Sequence, residues 1–285
     1  RLLIPISNSH YMSTSNDKEK TENTDRTLEW TSPITPEYLV RFNKAMFVLH
    51  LIQGVLMIIA GQVLEFSRDL YTFYYDYSGF PIIAPNPEVA FAFDALGALV
   101  GSFLLMSATA HFLLAWPLRK RYIENLKRNY NPIRWWEYAF SSSVMIVLIA
   151  IFFSVVDIWT LFAMFVLNFL MNMFGWMQEK INRKGNKEKV DWSAYILGCV
   201  AGIAPWIIVV AYFLGTNGTP PDFVYVIFIV ELVLFNSFAF IMVAYYKKWG
   251  KFKDYAFGER AYQILSLVAK SLLAWLVFGG VFQPS

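Results

Sequence analysis

The chain has 285 residues, 57% of them apolar and 18% aromatic, with a mean hydropathy of +0.43. That balance is too apolar for a soluble domain and fits a polytopic membrane protein with room for about seven helices of 20–25 residues. The net charge of +3 decides little because the charges are segregated, and the single cysteine, Cys199, excludes an intrachain disulfide and a cysteine metal cluster.

In chain order, residues 1–36 read as a flexible tail. Asn16 to Glu29 is rich in Asp, Glu, Lys, Thr and Ser, a composition that cannot bury a core. Its apolar start, Leu2 to Ile6, is too short to span a bilayer and lacks a signal-peptide layout. The remainder, 37–285, reads as one seven-helix domain, with spans expected near 38–64, 90–116, 133–156, 159–178, 192–214, 222–246 and 259–281. The first link is the longest. Its run Tyr71-Thr-Phe-Tyr-Tyr-Asp-Tyr-Ser-Gly-Phe80 is rich in strand formers closed by turn residues, and predicts a small extracellular β-hairpin.

The links alternate in charge. The second carries Arg119, Lys120, Arg121, Lys127 and Arg128; the fourth Lys180, Arg183, Lys184, Lys187 and Lys189; the sixth Lys247, Lys248, Lys251 and Lys253. The first link has only Arg68, and the third and fifth have no Lys or Arg. The positive-inside rule places the basic links and the N-terminus in the cytoplasm, so the C-terminus is expected outside. That orientation argues against a G-protein-coupled receptor and against ordinary microbial rhodopsins, which are oriented the other way.

Charged residues within the spans are costly, and so point to function. Lys270 sits in the middle of the seventh span, about 16 Å from its cytoplasmic start. It must be paired with an anion, be neutral or be covalently modified. An amine in a dry pocket is also a good partner for an aldehyde in a Schiff base. A structural lysine paired inside the bundle is the alternative. Glu137, early in the third span, is the leading counterion candidate, and Ser141, one turn deeper on the same face, is placed to join its hydrogen bonds. His50 in the first span and His111 in the second stand on the cytoplasmic side of Lys270 as candidate proton carriers or as hydrogen-bonded bundle residues. Glu231, in the middle of the sixth span, is expected to be neutral at that depth. It is either a proton station toward the outside or a carboxyl bonded to Asn168 or Asn172. No His-x-x-x-His pattern supports a metal, and no nucleotide loop or Ser-His-Asp arrangement supports a soluble-type enzyme or a nucleic-acid partner.

Seven spans with a lysine in the middle of the last resemble a retinal protein. The N-in orientation, Arg134-Trp-Trp-Glu137-Tyr-x-x-Ser141-Ser-Ser and Ser266-Leu-Val-Ala-Lys270 resemble heliorhodopsins in particular. So do Arg41-Phe-Asn with Leu49-His50-x-x-Gln53, Ser107-Ala with His111-Phe, Gly202-x-x-Pro205-Trp206 and Phe235-Asn236-x-Phe238. The resemblance covers all seven spans. It implies all-trans retinal on Lys270 as a protonated Schiff base, Glu137 as sole counterion, Ser266 where ordinary microbial rhodopsins carry an aspartate, and His50 and His111 handling the Schiff-base proton. It also implies a homodimer and an extracellular sheet. Met145 and Ile149, continuing the Glu137 face, and Trp206 and Phe238 are candidate walls of a retinal slot, with plain core packing the alternative for each.

Two functions follow as expectations. One is a non-enzymatic light sensor signalling to an unidentified cytoplasmic partner. The other is a light-driven or light-gated proton transporter using Glu137 and Glu231, as some viral members of that family are reported to pass protons. A seven-span hydrolase of the adiponectin-receptor type, also N-in, would need a histidine zinc site, and the last span has no histidine.

Overall fold

The computed structural model describes residues 30–63, 66–75, 85–183, 189–215 and 218–281. Residues 1–29 of the tail expected over 1–36 and the tip of the hairpin lie outside the described residues. In chain order come α1 (Pro36–Gly61), β1 (Arg68–Tyr74), β2 (Asn86–Phe93), α2 (Leu96–Ala115), α3 (Arg119–Lys127), α4 (Pro132–Phe152), α5 (Ile158–Ile181), α6 (Ser193–Gly215), α7 (Asp222–Tyr246), a short 3₁₀ turn and α8 (Tyr255–Val281). Seven of these helices, all but α3, are long and apolar enough to cross a membrane.

Local signals set several helix starts. Thr35 caps α1 by accepting from the Tyr38 amide, with Pro36 in the first turn, and Asn131 caps α4 by accepting from Arg134 N ahead of Pro132. Asp157 caps α5 through Thr160 N at 2.7 Å. The chain runs up and down, so the starts of α1, α4, α6 and α8 share one end of the bundle with the basic links, and the hairpin lies at the other.

The start of the second span and the end of the third differ from expectation for one reason. The second span was expected from residue 90, but Asn86–Phe93 is strand β2, paired antiparallel to β1 with a bulge between Leu70 and Tyr71. Val89-Ala-Phe-Ala-Phe93 is apolar enough to read as helix, yet its amides are taken by a strand partner. The third span was expected to reach residue 156 and ends at Phe152. Beyond it the chain is extended, because Val156 O accepts from Tyr71 N at 2.8 Å. Trp159 Nε1 donates to Thr72 Oγ1 at 2.9 Å, so the hairpin is stitched both to the link between α4 and α5 and to the first turn of α5.

At the basic end, residues 30–35 of the expected tail dock on the bundle. Trp30 and Ile34 pack against a core of Leu39, Tyr122, Leu126 and Tyr255, and Ser32 Oγ donates to Asp254 at 2.6 Å. Helices α1 and α2 approach closely. A Cβ on Gly97 would stand 2.5 Å from Gly61 Cα and 2.8 Å from Met57 O, so only glycine allows this approach.

Candidate functional site

The middle of α8 turns toward α4. Lys270 is 3% exposed, and its Nζ lies 3.0 Å from Glu137 Oε1 and donates to Ser266 Oγ at 2.7 Å. Ser266 precedes Lys270 by one turn, so helical spacing alone places its hydroxyl beside the amine. The ammonium also stands 5.2 Å from the centroid of the Tyr138 ring. A buried amine thus has one carboxylate, one hydroxyl and one aromatic face around it.

The hydroxyl that fixes Glu137 comes from α2. Ser107 Oγ donates to Glu137 Oε1 at 2.6 Å. Ser141, expected to join that network, is fully buried and its Oγ makes no hydrogen bond among the described residues. The helical spacing from Glu137 is right, but the carboxylate leans toward α2 and α8.

The two histidines meet. The rings of His50 and His111 stack at 5.4 Å with planes 11° apart, brought together by the close approach of α1 and α2. His111 Nδ1 is 2.7 Å from Asn43 Oδ1. Asn43 Nδ2 is committed to Leu39 O, so the amide oxygen faces His111, whose Nδ1 must then carry hydrogen. His50 is fully buried, and neither of its ring nitrogens makes a hydrogen bond among the described residues.

Glu231 is fully buried, and neither carboxyl oxygen has a hydrogen-bond partner among the described residues. The bland alternative for it does not occur: Asn168 and Asn172 both donate to Ser142 instead, at 2.7 and 3.0 Å.

The four candidate wall residues divide. Met145 and Ile149 pack in the central core with Ala269 and Leu273. Trp206 and Phe238 line an apolar cavity of about 350 Å3 between α5, α6 and α7, with Asn172, Gly198 and Gly202 among its other walls. Phe238 also meets Tyr138 edge-on at 5.1 Å. Tyr138 and Phe238 therefore stand between the surroundings of the amine and that cavity, whose size falls in the range of small-molecule sites.

Sequence reasoning missed a second polar centre at the basic end. Arg134 on α4 is ion-paired with Glu179 of α5 at 2.7 Å and with Glu259 of α8, all three at most 5% exposed. Each lies within about a turn or two of a helix end, where a charge reads as interfacial. The signal that could have found them is Arg134 itself, a charge with two tryptophans after it inside an apolar helix.

A family model described as heliorhodopsin matches residues 39–282. No curated protein matches the chain.

Proposed function

The chain belongs to the heliorhodopsin family, light-sensing retinal-binding membrane proteins, and we propose that it is a sensory photoreceptor with all-trans retinal on Lys270. The observation that carries this reading is the buried Lys270 amine held 3.0 Å from a single carboxylate. When bound, retinal supplies absorption of visible light and a change of shape. The residues fit such a group: an amine able to form a Schiff base, one anion to balance its charge, and an apolar cavity on the far side of the Tyr138–Phe238 ring pair.

In this reading Glu137 keeps the Lys270 nitrogen charged, since an uncompensated charge at that depth is costly. Ser107 and Ser266 orient the pair. The stacked histidines take a proton when the pair loosens, because His50 has ring nitrogens not committed to any bond. The basic links face the cytoplasm, where a signalling partner would meet them. Dimerisation belongs to the same reading.

A visible absorption spectrum with added retinal, before and after hydroxylamine in light, tests it. We expect a band that bleaches in the wild-type chain and never forms in Lys270→Ala. Absence of a visible band in every lipid and detergent would overturn the reading.

A second reading, proton passage through the membrane, is favoured by one observation, the unpartnered Glu231 carboxyl. It predicts a photocurrent in voltage-clamped cells that is lost in Glu231→Gln. A current that persists unchanged in that variant removes Glu231 from the path.

A further inference from the structure

The polar centre at the basic end has more acid than base. Two carboxylates, Glu179 and Glu259, share one guanidinium, that of Arg134. Buried charge without a counter-charge is strongly unfavourable, so one carboxylate must be able to hold a proton.

The hydrogen bonds say which one. Glu179 is fully committed as an acceptor: Oε1 takes Arg134 Nη2 at 2.7 Å and Tyr255 OH at 2.8 Å, and Oε2 takes the Asn131 amide at 2.8 Å and Trp135 Nε1 at 2.9 Å. Three of those four groups can only donate, and the fourth, the Tyr255 hydroxyl, makes its one hydrogen bond among the described residues to Glu179, so it has no second acceptor to turn to if Glu179 were to donate. Glu259 differs. Its Oε2 takes Arg134 and its Oε1 takes Asn131 Nδ2, but the remaining neighbour of Oε1 is the Tyr122 hydroxyl at 3.2 Å, which can donate or accept.

A second, independent feature stands behind Tyr122. Gln263 is 3% exposed, its Nε2 donates toward both Tyr122 OH at 3.4 Å and Asn43 Oδ1 at 3.3 Å, and its own Oε1 is buried without a partner among the described residues. If its amide turns over, Oε1 can accept from Tyr122, at the cost of the bond from Nε2 to Asn43. A cavity of about 10 Å3, near the size of one water, touches both carboxylates beside Tyr245 and Tyr246.

We propose that Glu259 is a proton-binding site at the basic end of the bundle, with Tyr122 and Gln263 as the hydrogen bonds that reverse when it loads. Charged, Glu259 accepts from Tyr122. Protonated, it donates its O–H to Tyr122, which donates in turn to Gln263 Oε1. The proton comes from and returns to water through the small cavity, and Glu179 and Arg134 stay ionised as a pair. Tyr262 and Tyr255 face the cluster from α8 as neutral phenols, and Tyr262 stacks beneath the guanidinium at 4.3 Å. While Glu259 is charged, Asn43 joins this site to His111 through Gln263, so charge gained by the histidines bears on whether Glu259 loads. The amides pass on polarisation rather than the proton itself. That link to light rests on the photoreceptor reading; the proton held in the dark does not.

Infrared spectra of the full retinal-free chain, titrated from mildly alkaline to mildly acid buffer, test the dark site. We expect a protonated-carboxyl band that disappears in Glu259→Gln and persists in Glu231→Gln. In Tyr122→Phe, which keeps every carboxylate, the band moves to higher frequency because its O–H loses its acceptor. A titrating band unaffected by both Glu259→Gln and Tyr122→Phe overturns the proposal. With retinal bound, light should shift the same band, and Gln263→Leu should abolish that shift while leaving the visible band in place. A visible band that never forms would fell the photoreceptor reading and leave the dark result standing.

Discussion

Around Lys270 the structure separates serines that the sequence makes look alike. Ser107 donates to the Glu137 carboxylate, and a hydrogen bond to a charged group contributes roughly 1.5–3 kcal/mol. Ser107→Ala should lower the thermal unfolding midpoint of the retinal-free chain in detergent. Ser141→Ala removes a buried hydroxyl with no partner and should leave the midpoint unchanged or raised. Equal losses in the two variants would contradict the observed hydrogen bonds. Glu137→Gln strands a buried ammonium and should cost about 3–5 kcal/mol. Changing Lys270 to Met in the same chain should recover most of that loss, since neither charge is then left alone.

Among the helices, the histidine pair depends on the approach of α1 and α2. Gly97→Ala forces the backbones apart, because the added methyl would stand 2.5 Å from Gly61 Cα. Overpacking of that kind costs roughly 1–3 kcal/mol. It should also change the environment of His50 and His111, measured as altered histidine resonances in the retinal-free chain; unchanged resonances would show that the pair is held by other contacts. The short helix α3 offers a test by pH. Burial, reinforced by the charge of Glu259, raises the Tyr122 phenol well above the ordinary tyrosine range. A raised value stabilises the fold fully below the ordinary tyrosine value of about 10, and that stability is lost as pH rises through the folded value. Tyr122→Phe should therefore lose less stability than wild type on going from neutral to strongly alkaline buffer, read as the difference in unfolding midpoint.

How much of this was legible follows from what each signal measures. Hydropathy marks segments that avoid water, so seven spans were visible, but it does not distinguish a helix from the apolar strand Val89 to Phe93. Helical spacing gave Ser266 beside Lys270, because both lie on one helix. Ser107 and Asn43 reach the site from other helices, and no period in the sequence records which helices meet. Glu259 and Glu179 were hidden for a related reason: a charge near a helix end is cheap when it faces water, and only packing shows that these do not.

Across the whole molecule, the remaining physical asymmetry is between its two ends. The end carrying α3 and the 3₁₀ turn holds most of the lysines and arginines of the links, and the hairpin end has Arg68 alone among its links. The positive-inside rule predicts that these basic links lie in the cytoplasm, which would set the side on which Glu259 exchanges its proton and on which any partner reads the basic surface. The one cysteine, Cys199, is exposed on α6, so it is first replaced by serine. Single cysteines are then placed at the exposed positions Glu88, on β2, and Lys253, in the 3₁₀ turn. A membrane-impermeant maleimide applied to intact cells should label Glu88→Cys at once and Lys253→Cys only after permeabilisation. The opposite pattern would invert the molecule. The histidine pair and the Arg134 cluster would then face outside, and the basic links could not serve a cytoplasmic partner, whatever the colour of the purified protein.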